Sequence, residues 1–219
     1  MRHRFNYIIL DLDGPILDGK MKHYNCYKDI LLSYGYPVLP IDEYWNMKRN
    51  MEDRYQQLSM TGAVAIYQFF LCDWLKKIET KKYLHYDKLQ ENVIATLQHW
   101  KEDEIQLILV TMRTNPENLF WQLNEIKISH WFDRVVVVSY DQTGHNKAES
   151  VKQILKRNNY KSAIWIGDTE IDEQAARELN IKICLVSCGI RSRELLEKMH
   201  PDYLVTNIDS FSKLIEPSI

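Results

Sequence analysis

The chain has 219 residues, of which 45% are hydrophobic and 26% charged, and its formal net charge is −2. This balance gives no electrostatic argument for nucleic acid or an anionic membrane, so we expect neither as a partner. At roughly 150 residues per domain, the length fits one core domain that carries a smaller insert.

Targeting signals and paired cysteines are not evident in the sequence. No apolar run approaches the roughly 18 residues of a membrane span. The apolar segment within the start MRHRFNYIIL is too short for a signal peptide. We therefore expect a cytoplasmic protein. The four cysteines are scattered, and we expect core thiols rather than a disulfide or a metal site.

The first predicted strand, YIIL at residues 7–10, runs directly into Asp11, Leu12 and Asp13. Side chains alternate along a strand, so the two carboxylates lie on one side if the strand continues between them. Such a pair needs a cation, hydrogen bonds or a shared proton, which makes it a candidate functional site. Two acids that merely end the strand in water are the alternative that this short motif leaves open.

A helical segment follows. Between residue 20 and about residue 86 there is no strand-like run, but there are amphipathic stretches such as YNCYKDILLSYGY and GAVAIYQFFLCDWLKKI. Gly35 and Gly62 are turn signals between them. We interpret this segment as an all-helical insertion after the first strand.

Five further apolar runs are predicted strands: IQLILV, RVVVVS, SAIWIG, IKICLVS and YLVT. They are rich in β-branched residues and lack alternation, which is typical of strands covered on both faces. Helical stretches lie between them, including NPENLFWQLNEI, NKAESVKQILKRN and DEQAARELN. This alternation predicts an α/β fold with a doubly wound, Rossmann-like parallel sheet.

Polar residues occupy the carboxyl ends of these strands, where doubly wound sheets bind ligands. Asp11 and Asp13 follow the first strand, Thr111 ends the second, the third leads through a loop to Lys147, and Asp168 follows the fourth. Each residue alone has an ordinary explanation, such as a strand-end hydroxyl, a solvated lysine or a helix-capping acid. Together they offer carboxylates, a hydroxyl and an amine at one edge of the sheet.

These motifs together resemble those of the haloacid dehalogenase-like (HAD) hydrolase superfamily, and within it the phosphatase-type members with a helical cap after the first strand. DLDGPILDG resembles the family's first motif. LVT ending at Thr111 resembles the second motif, Lys147 the third, and GDTEID with Asp168 and Asp172 the fourth. The resemblance extends over essentially the whole chain.

The resemblance implies a division of the chain. Residues 1–19 and 87–219 would form the HAD-like catalytic core, and residues 20–86 the helical cap. Because the dehalogenase branch generally lacks a second aspartate, the presence of Asp13 disfavours it.

The resemblance also implies an activity: Mg²⁺-dependent hydrolysis of a phosphomonoester of a small metabolite through an aspartyl-phosphate intermediate. Asp11 would be the nucleophile, and Asp13 would protonate the leaving group and then activate water. Thr111, the backbone N–H of Met112 and Lys147 would bind phosphate oxygens.

The implied magnesium ligands are Asp11, the backbone carbonyl of Asp13 and Asp168, with Asp172 as a further acidic support. Arg113 is a further candidate for contact with the substrate. The alternative is that it is a surface or salt-bridged arginine.

Three other functions are alternatives to phosphomonoester hydrolysis. A phosphotransferase or sugar-phosphate mutase of the same superfamily stays open, whereas a non-catalytic binding domain is disfavoured because all the catalytic positions are filled. A dinucleotide-dependent oxidoreductase is disfavoured because DGPILDG, not a glycine-rich loop, follows the first strand.

The substrate itself is not fixed by any motif, nor is the oligomeric state. Lys48, Arg49 and Arg54, in WNMKRNMEDR, are candidates for binding a second anionic group of the substrate. A solvated helix face is the alternative for these three residues.

Overall fold

The computed structural model describes residues 5–141 and 143–215. The strands are β1 (Tyr7–Leu10), β2 (Leu17–Asp18), β3 (Lys88–Leu89), β4 (Gln106–Thr111), β5 (Arg134–Val137), β6 (Ala163–Gly167), β7 (Lys182–Val186) and β8 (Tyr203–Val205). The helices are α1 (Lys20–Ser33), α2 (Ile41–Arg49), α3 (Arg54–Met60), α4 (Tyr67–Lys77), α5 (Lys81–Leu84), α6 (Val93–Glu102), α7 (Pro116–Glu125), α8 (His145–Ile154), α9 (Glu170–Leu179), α10 (Arg193–Glu197) and α11 (Ile208–Ile215).

Six of these strands form one parallel sheet in the order β5-β4-β1-β6-β7-β8, with both faces covered by helices. Ile8 and Leu10 of β1 pack in a cluster with residues of α6, α7 and α11. Ile9, which points the other way, packs in a second cluster with residues of α8, α9 and α10. Burial on both faces explains the unbroken apolar runs, and the expected doubly wound α/β fold is confirmed.

The chain between β2 and β3 is helical: residues 20–87, all of which the structure describes, include α1 to α5 and no strand. These helices enclose a hydrophobic cluster of their own. Tyr27 stacks on Tyr44 with ring centroids 4.4 Å apart, and Phe70 meets Tyr27 edge-on at 6.3 Å. The aromatic residues of this segment therefore build a core that is distinct from the two clusters on the sheet.

A two-stranded antiparallel ribbon lies where the chain leaves and re-enters the sheet domain. It pairs Leu17 of β2 with Leu89 of β3, and the N–H of Gln90 donates to the carbonyl of Ile16 at 2.9 Å. Sequence analysis missed this ribbon because strands of two residues are too short to show a period.

The thiols only partly follow expectation. Cys26 and Cys184 are buried, but Cys72 is exposed and Cys188 half-buried, and all four are free thiols. The expectation of a core thiol is wrong for Cys72 because it lies on the solvent side of α4. Among the described residues, no helix combines the length and apolar character needed to cross a bilayer.

Candidate active site

Strand β1 places Asp11 at the carboxyl edge of the sheet. The backbone N–H of Asp11 donates to the carbonyl of Ile166 at 3.0 Å, which continues the pairing with β6 one residue further. The Oδ1 atom of Asp11 accepts a hydrogen bond from the backbone N–H of Leu12 at 2.8 Å. The Oδ2 atom lies 3.0 Å from Lys147 Nζ. Burial raises the pKa of Asp11 to about 7, although Lys147 opposes the shift.

Lys147, in the first turn of α8, lies between two carboxylates. Its Nζ is 2.7 Å from Asp172 Oδ1 and 3.0 Å from Asp11 Oδ2. Burial alone would lower the pKa of Lys147, but Asp11 and Asp172 raise it, so the side chain is a cation. Asp172 also accepts hydrogen bonds from Thr169 Oγ1 at 2.7 Å and Trp165 Nε1 at 3.3 Å, which fixes the carboxylate that holds Lys147.

Asp168, which follows β6, is enclosed by backbone. Its Oδ2 accepts from the N–H of Ile190. A Cβ added at Gly14 would lie 2.2 Å from the Asp168 carboxyl carbon, and one at Gly189 would lie 2.0 Å from Oδ2. Gly14 also has a φ of +101°, which disfavours any side chain. The two glycines therefore allow this carboxylate to reach the edge of the sheet.

Asp11, Asp168 and Asp172 form a buried carboxylate cluster, with one oxygen from each within 4.8 Å of the others. Burial, followed by the charges of Asp172 and Asp11, raises the pKa of Asp168. Asp168 has no ion-pair partner among the residues that the structure describes, so negative charge is in excess here. Because hard oxygen ligands suit Mg²⁺, the residues present fit a divalent cation.

Asp13 binds a different set of cations. Arg113 donates to both of its carboxylate oxygens at 2.7 Å, and Lys22 donates to Oδ1 at 2.8 Å. Burial alone would raise the pKa of Asp13, but Arg113 and Lys22 hold it well below its usual range. In this arrangement Asp13 is an anion.

Asp87, just before β3, ties these cations together. Its side chain is 0% exposed, and its Oδ2 accepts from Lys22 Nζ at 2.9 Å, Arg113 at 3.2 Å and Gln122 Nε2 at 2.8 Å. For Arg113, the structure therefore shows the salt-bridged alternative. A direct contact of Arg113 with substrate stays a prediction.

Three members of this network were missed from sequence: Lys22, Asp87 and Gln122. Lys22 and Asp87 are 65 residues apart in the chain, and neither follows a strand of the parallel sheet. The signal that could have drawn attention to Asp87 is an acid at the end of the helical insertion, next to the predicted core.

A cavity of about 580 Å³ opens at the carboxyl edge of the sheet. Its lining includes the predicted site residues Asp11, Asp13, Thr111, Met112, Arg113 and Asp168. The other two predicted residues, Lys147 and Asp172, do not line the cavity: Lys147 contacts the lining residue Asp11, and Asp172 contacts Lys147. The helical segment closes the opposite side of the cavity with Trp45, Arg54, Leu71, Trp74, Leu75 and Ile78.

Two half-buried cations of the helical segment, Lys48 and Arg54, pack on the same indole. Lys48 Nζ is 5.4 Å from the ring centre of Trp74, and the Arg54 guanidinium carbon is 3.9 Å from it. Cation–π contacts contribute about 0.5–2 kcal/mol, whereas taking a charge out of water costs several kcal/mol. The solvated-face alternative therefore does not describe these two residues, and the ring alone does not offset their burial.

Comparison with known proteins identifies the family. A family profile described as haloacid dehalogenase-like hydrolase matches residues 8–186. The chain belongs to this family. The resemblance drawn from the four motifs is thereby confirmed, and relatives named as phosphatases confirm the expectation of a phosphatase-type enzyme.

Relatives of this HAD protein agree with that assignment. It is 23% identical to pyrophosphatase PpaX of Bacillus mycoides, over 97% of this chain and 96% of that protein. It is 22% identical to phosphoglycolate phosphatase of Rhodobacter capsulatus, over 86% and 87% of the two chains. The solved structure of a haloacid dehalogenase-like family hydrolase from Streptococcus pneumoniae shares the fold, with a TM-score of 0.75 and 18% identity over 97% of this chain and 99% of that one.

Proposed function

We propose that this protein is a Mg²⁺-dependent phosphatase that hydrolyses the phosphomonoester of a small metabolite through an aspartyl-phosphate on Asp11. The observation that carries the proposal is the position of the Asp11 carboxylate, which lines the cavity, contacts Lys147 at 3.0 Å and adjoins a buried acidic cluster. Two relatives named as phosphatases, of pyrophosphate and of phosphoglycolate, support the same reaction class.

Asp11 would attack phosphorus, so that a bond forms between its carboxylate oxygen and phosphorus while the bond from phosphorus to the ester oxygen breaks. Lys147 would hold positive charge beside the nucleophile throughout. Thr111, 1% exposed at the end of β4, and the N–H of Met112 would bind non-bridging oxygens, which stabilises charge in the transition state.

Asp13 would give a proton to the leaving oxygen and then take one from the attacking water. Its ion pairs with Arg113 and Lys22 favour the ionised form, which suits the second step. The first step requires a protonated carboxyl, so Asp13 must leave these cations before it acts as an acid. Lys22 belongs to α1, so a movement of the helical segment would release Lys22, whereas Arg113, on the loop after β4, would have to give up its own two hydrogen bonds to Asp13.

The metal would be held by the carboxylates of Asp11 and Asp168 and the backbone carbonyl of Asp13, with Asp172 as acidic support. When bound, Mg²⁺ supplies positive charge that neutralises the phosphate and the carboxylate cluster. Burial and the charges of Asp172 and Asp11 raise the pKa of Asp168, and a cation bound there would favour its ionised form.

The helical segment, residues 20–86, would act as a cap that excludes water from the cavity and admits the substrate. Pyrophosphate and phosphoglycolate are the first compounds to test as substrates, because the relatives are named for them. A cytoplasmic location stays a prediction.

The test is hydrolysis of p-nitrophenyl phosphate by purified protein before and after chelation. We expect activity to vanish with EDTA and to return when Mg²⁺ is added, with release of free phosphate. A mock-dialysed sample and the Asp11→Asn variant are the controls. Full activity after thorough chelation contradicts the metal assignment, and transfer of the phosphoryl group to a second hydroxyl without release of phosphate contradicts hydrolysis.

A further inference from the structure

The cavity is larger than a phosphate group requires. At about 580 Å³ it has room for an organic group beyond the phosphate. Apolar side chains of the helical segment, including Trp45, Leu71 and Ile78, line it together with Arg54. The part of the substrate that is not phosphate would therefore meet this segment.

The cations on the two sides of the cavity differ in their partners. Next to Asp13, Lys22 of α1 and Arg113 of the loop after β4 bind Asp13 and Asp87. On the side of the helical segment, Arg54 and Trp74 line the cavity. Lys48 does not line it but, like Arg54, contacts the Trp74 ring, and among the described residues no carboxylate pairs with either cation. No carboxylate therefore neutralises these two cations within the part of the chain that the structure describes.

Arg49, the third cation considered from sequence, is occupied. It donates to the backbone carbonyls of Ser187 and Arg191 at 2.8 and 3.1 Å, and its own carbonyl accepts from the N–H of Ser192 at 3.0 Å. Arg49 therefore joins α2 to the loop after β7, and it does not belong to the ligand-binding pair.

The charges around Lys48 also favour binding of an anion near Trp74. Burial lowers its pKa, and the neighbouring charges of Arg54, Arg191 and Lys22 lower it further. Burial also lowers the pKa of Arg54. Positive charges that repel each other in a partly enclosed site are stabilised when an anion binds between them.

We propose that the substrate carries a second anionic group, a carboxylate or a phosphate, which Arg54 binds beside the Trp74 ring with the charge of Lys48 next to it. This inference rests on the function proposed above and names the class of its substrate: small phosphate esters with an anionic tail. Arg54 offers a planar donor group for a carboxylate or phosphate, and Lys48 adds a point charge.

The experiment uses four esters with the same three-carbon chain: propyl phosphate, 3-(phosphonooxy)propanoate, 1,3-propanediol bisphosphate and 3-aminopropyl phosphate. We expect kcat/KM of the wild-type protein to be about 10- to 100-fold higher for the two anionic tails than for propyl phosphate, and lowest for the amine. The carboxylate and bisphosphate arms distinguish the two kinds of anion.

The variants are Lys48→Met and Arg54→Met, which retain an apolar stem of similar length. We expect the preference for anionic tails over propyl phosphate to fall about tenfold or more in each, and Arg54→Lys to restore part of it. Lys81→Met is the matched control, because Lys81 also lies over an indole, 4.8 Å from the ring centre of Trp121, but Trp121 does not line the cavity whereas Trp74 does. Its preference should equal that of the wild type.

Binding measurements distinguish failure of the proposed anion subsite from failure of the proposed phosphatase function. Calorimetry with Asp11→Asn should show tighter binding of 3-(phosphonooxy)propanoate than of propyl phosphate, and the difference should disappear in Asp11→Asn/Arg54→Met. If the wild type hydrolyses no ester but this binding difference is present, the proposed function fails and the subsite stands. If all four tails bind and react equally, or if Lys48→Met and Arg54→Met keep the preference, the subsite is wrong.

Discussion

Asp11 and Asp13 are two residues apart but contact different cations. Asp11 lies 3.0 Å from Lys147, whereas Asp13 is held by Arg113 and Lys22. Burial raises the pKa of Asp11 to about 7, although Asp11 must be ionised to act as a nucleophile. Lys147 and a bound cation would both favour that ionised form, which is why a metal beside this residue is chemically useful.

The first residue-scale prediction separates the two aspartates. Asp11→Asn removes the nucleophile, so turnover should fall to background and no phosphoenzyme should form. Asp13→Asn keeps the nucleophile but removes proton transfer, so kcat should fall by about 10²–10⁴-fold. With p-nitrophenyl phosphate, whose leaving group needs no proton, the Asp13 variant should accumulate phosphoenzyme because water activation is impaired.

Single-turnover kinetics and acid-quenched mass spectrometry measure these outcomes. Asp42→Asn is the control, since Asp42 is 88% exposed and pairs with Lys20, and neither residue lines the cavity. Turnover in the Asp11 variant, or absence of a phosphate adduct in the Asp13 variant with the activated ester, means that the two roles are wrongly assigned.

At the scale of elements, Asp87 connects parts of the fold that are distant in sequence. Through Lys22, Arg113 and Gln122 it joins α1, the loop after β4 and α7. A buried carboxylate with these partners links the base of the helical segment to the loop that follows Thr111. The network thus positions the segment and Asp13 together.

Asp87→Asn tests this link. Loss of the buried charge leaves Lys22 and Arg113 with Asp13 as their shared acidic partner, and breaking a buried ion pair costs about 3–5 kcal/mol. We expect the free energy of unfolding to fall by about 3 kcal/mol. Asp42→Asn, which breaks the exposed ion pair with Lys20 at 2.7 Å, should change it by less than about 1 kcal/mol. Equal effects of the two variants in urea denaturation would contradict a structural role for Asp87.

Helices and strands with a clear pattern of apolar residues could be predicted from sequence. The contacts between them could not. The strand ends at Asp11, Thr111 and Asp168 followed from apolar runs that stop at polar residues. The β2–β3 ribbon and the contact between Lys22 and Asp87 depend on where the chain returns after the helical segment. Local patterns do not contain that information, because it arises from tertiary packing.

At the scale of the whole molecule, the site lies between two separately packed parts. The sheet with its two clusters supplies the carboxylates, and the aromatic cluster of the helical segment supplies Trp74 beside Lys48 and Arg54. Sequence analysis left the role of these cations open because their burial depends on how α2, α3 and α4 pack. The fold places both of them on one ring, which is the basis of the proposed subsite.

Lys48→Met tests whether placing Lys48 beside Arg54 on the Trp74 ring lowers the free energy of unfolding of the ligand-free protein. Because Lys48 is half-buried, contacts no carboxylate among the described residues and has cationic neighbours, replacing it with an apolar chain of similar length should stabilise the free protein. We expect the free energy of unfolding to rise by about 1 kcal/mol near neutral pH. The exposed control Lys81→Met should change it by less than about 0.5 kcal/mol.

The pH dependence of that difference follows from the lowered pKa of Lys48. The unfolded chain binds this proton up to its ordinary pKa of 10.5, whereas the folded chain releases it at lower pH, so the stability of the wild type rises with pH between the two values. The advantage of Lys48→Met should therefore be largest below the folded pKa and shrink as pH rises toward 10.5. Urea denaturation of both proteins across this range measures it. A variant that is less stable than the wild type at neutral pH would mean that Lys48 already has a favourable partner in the free protein, and the case for an anionic ligand at this ring would be lost.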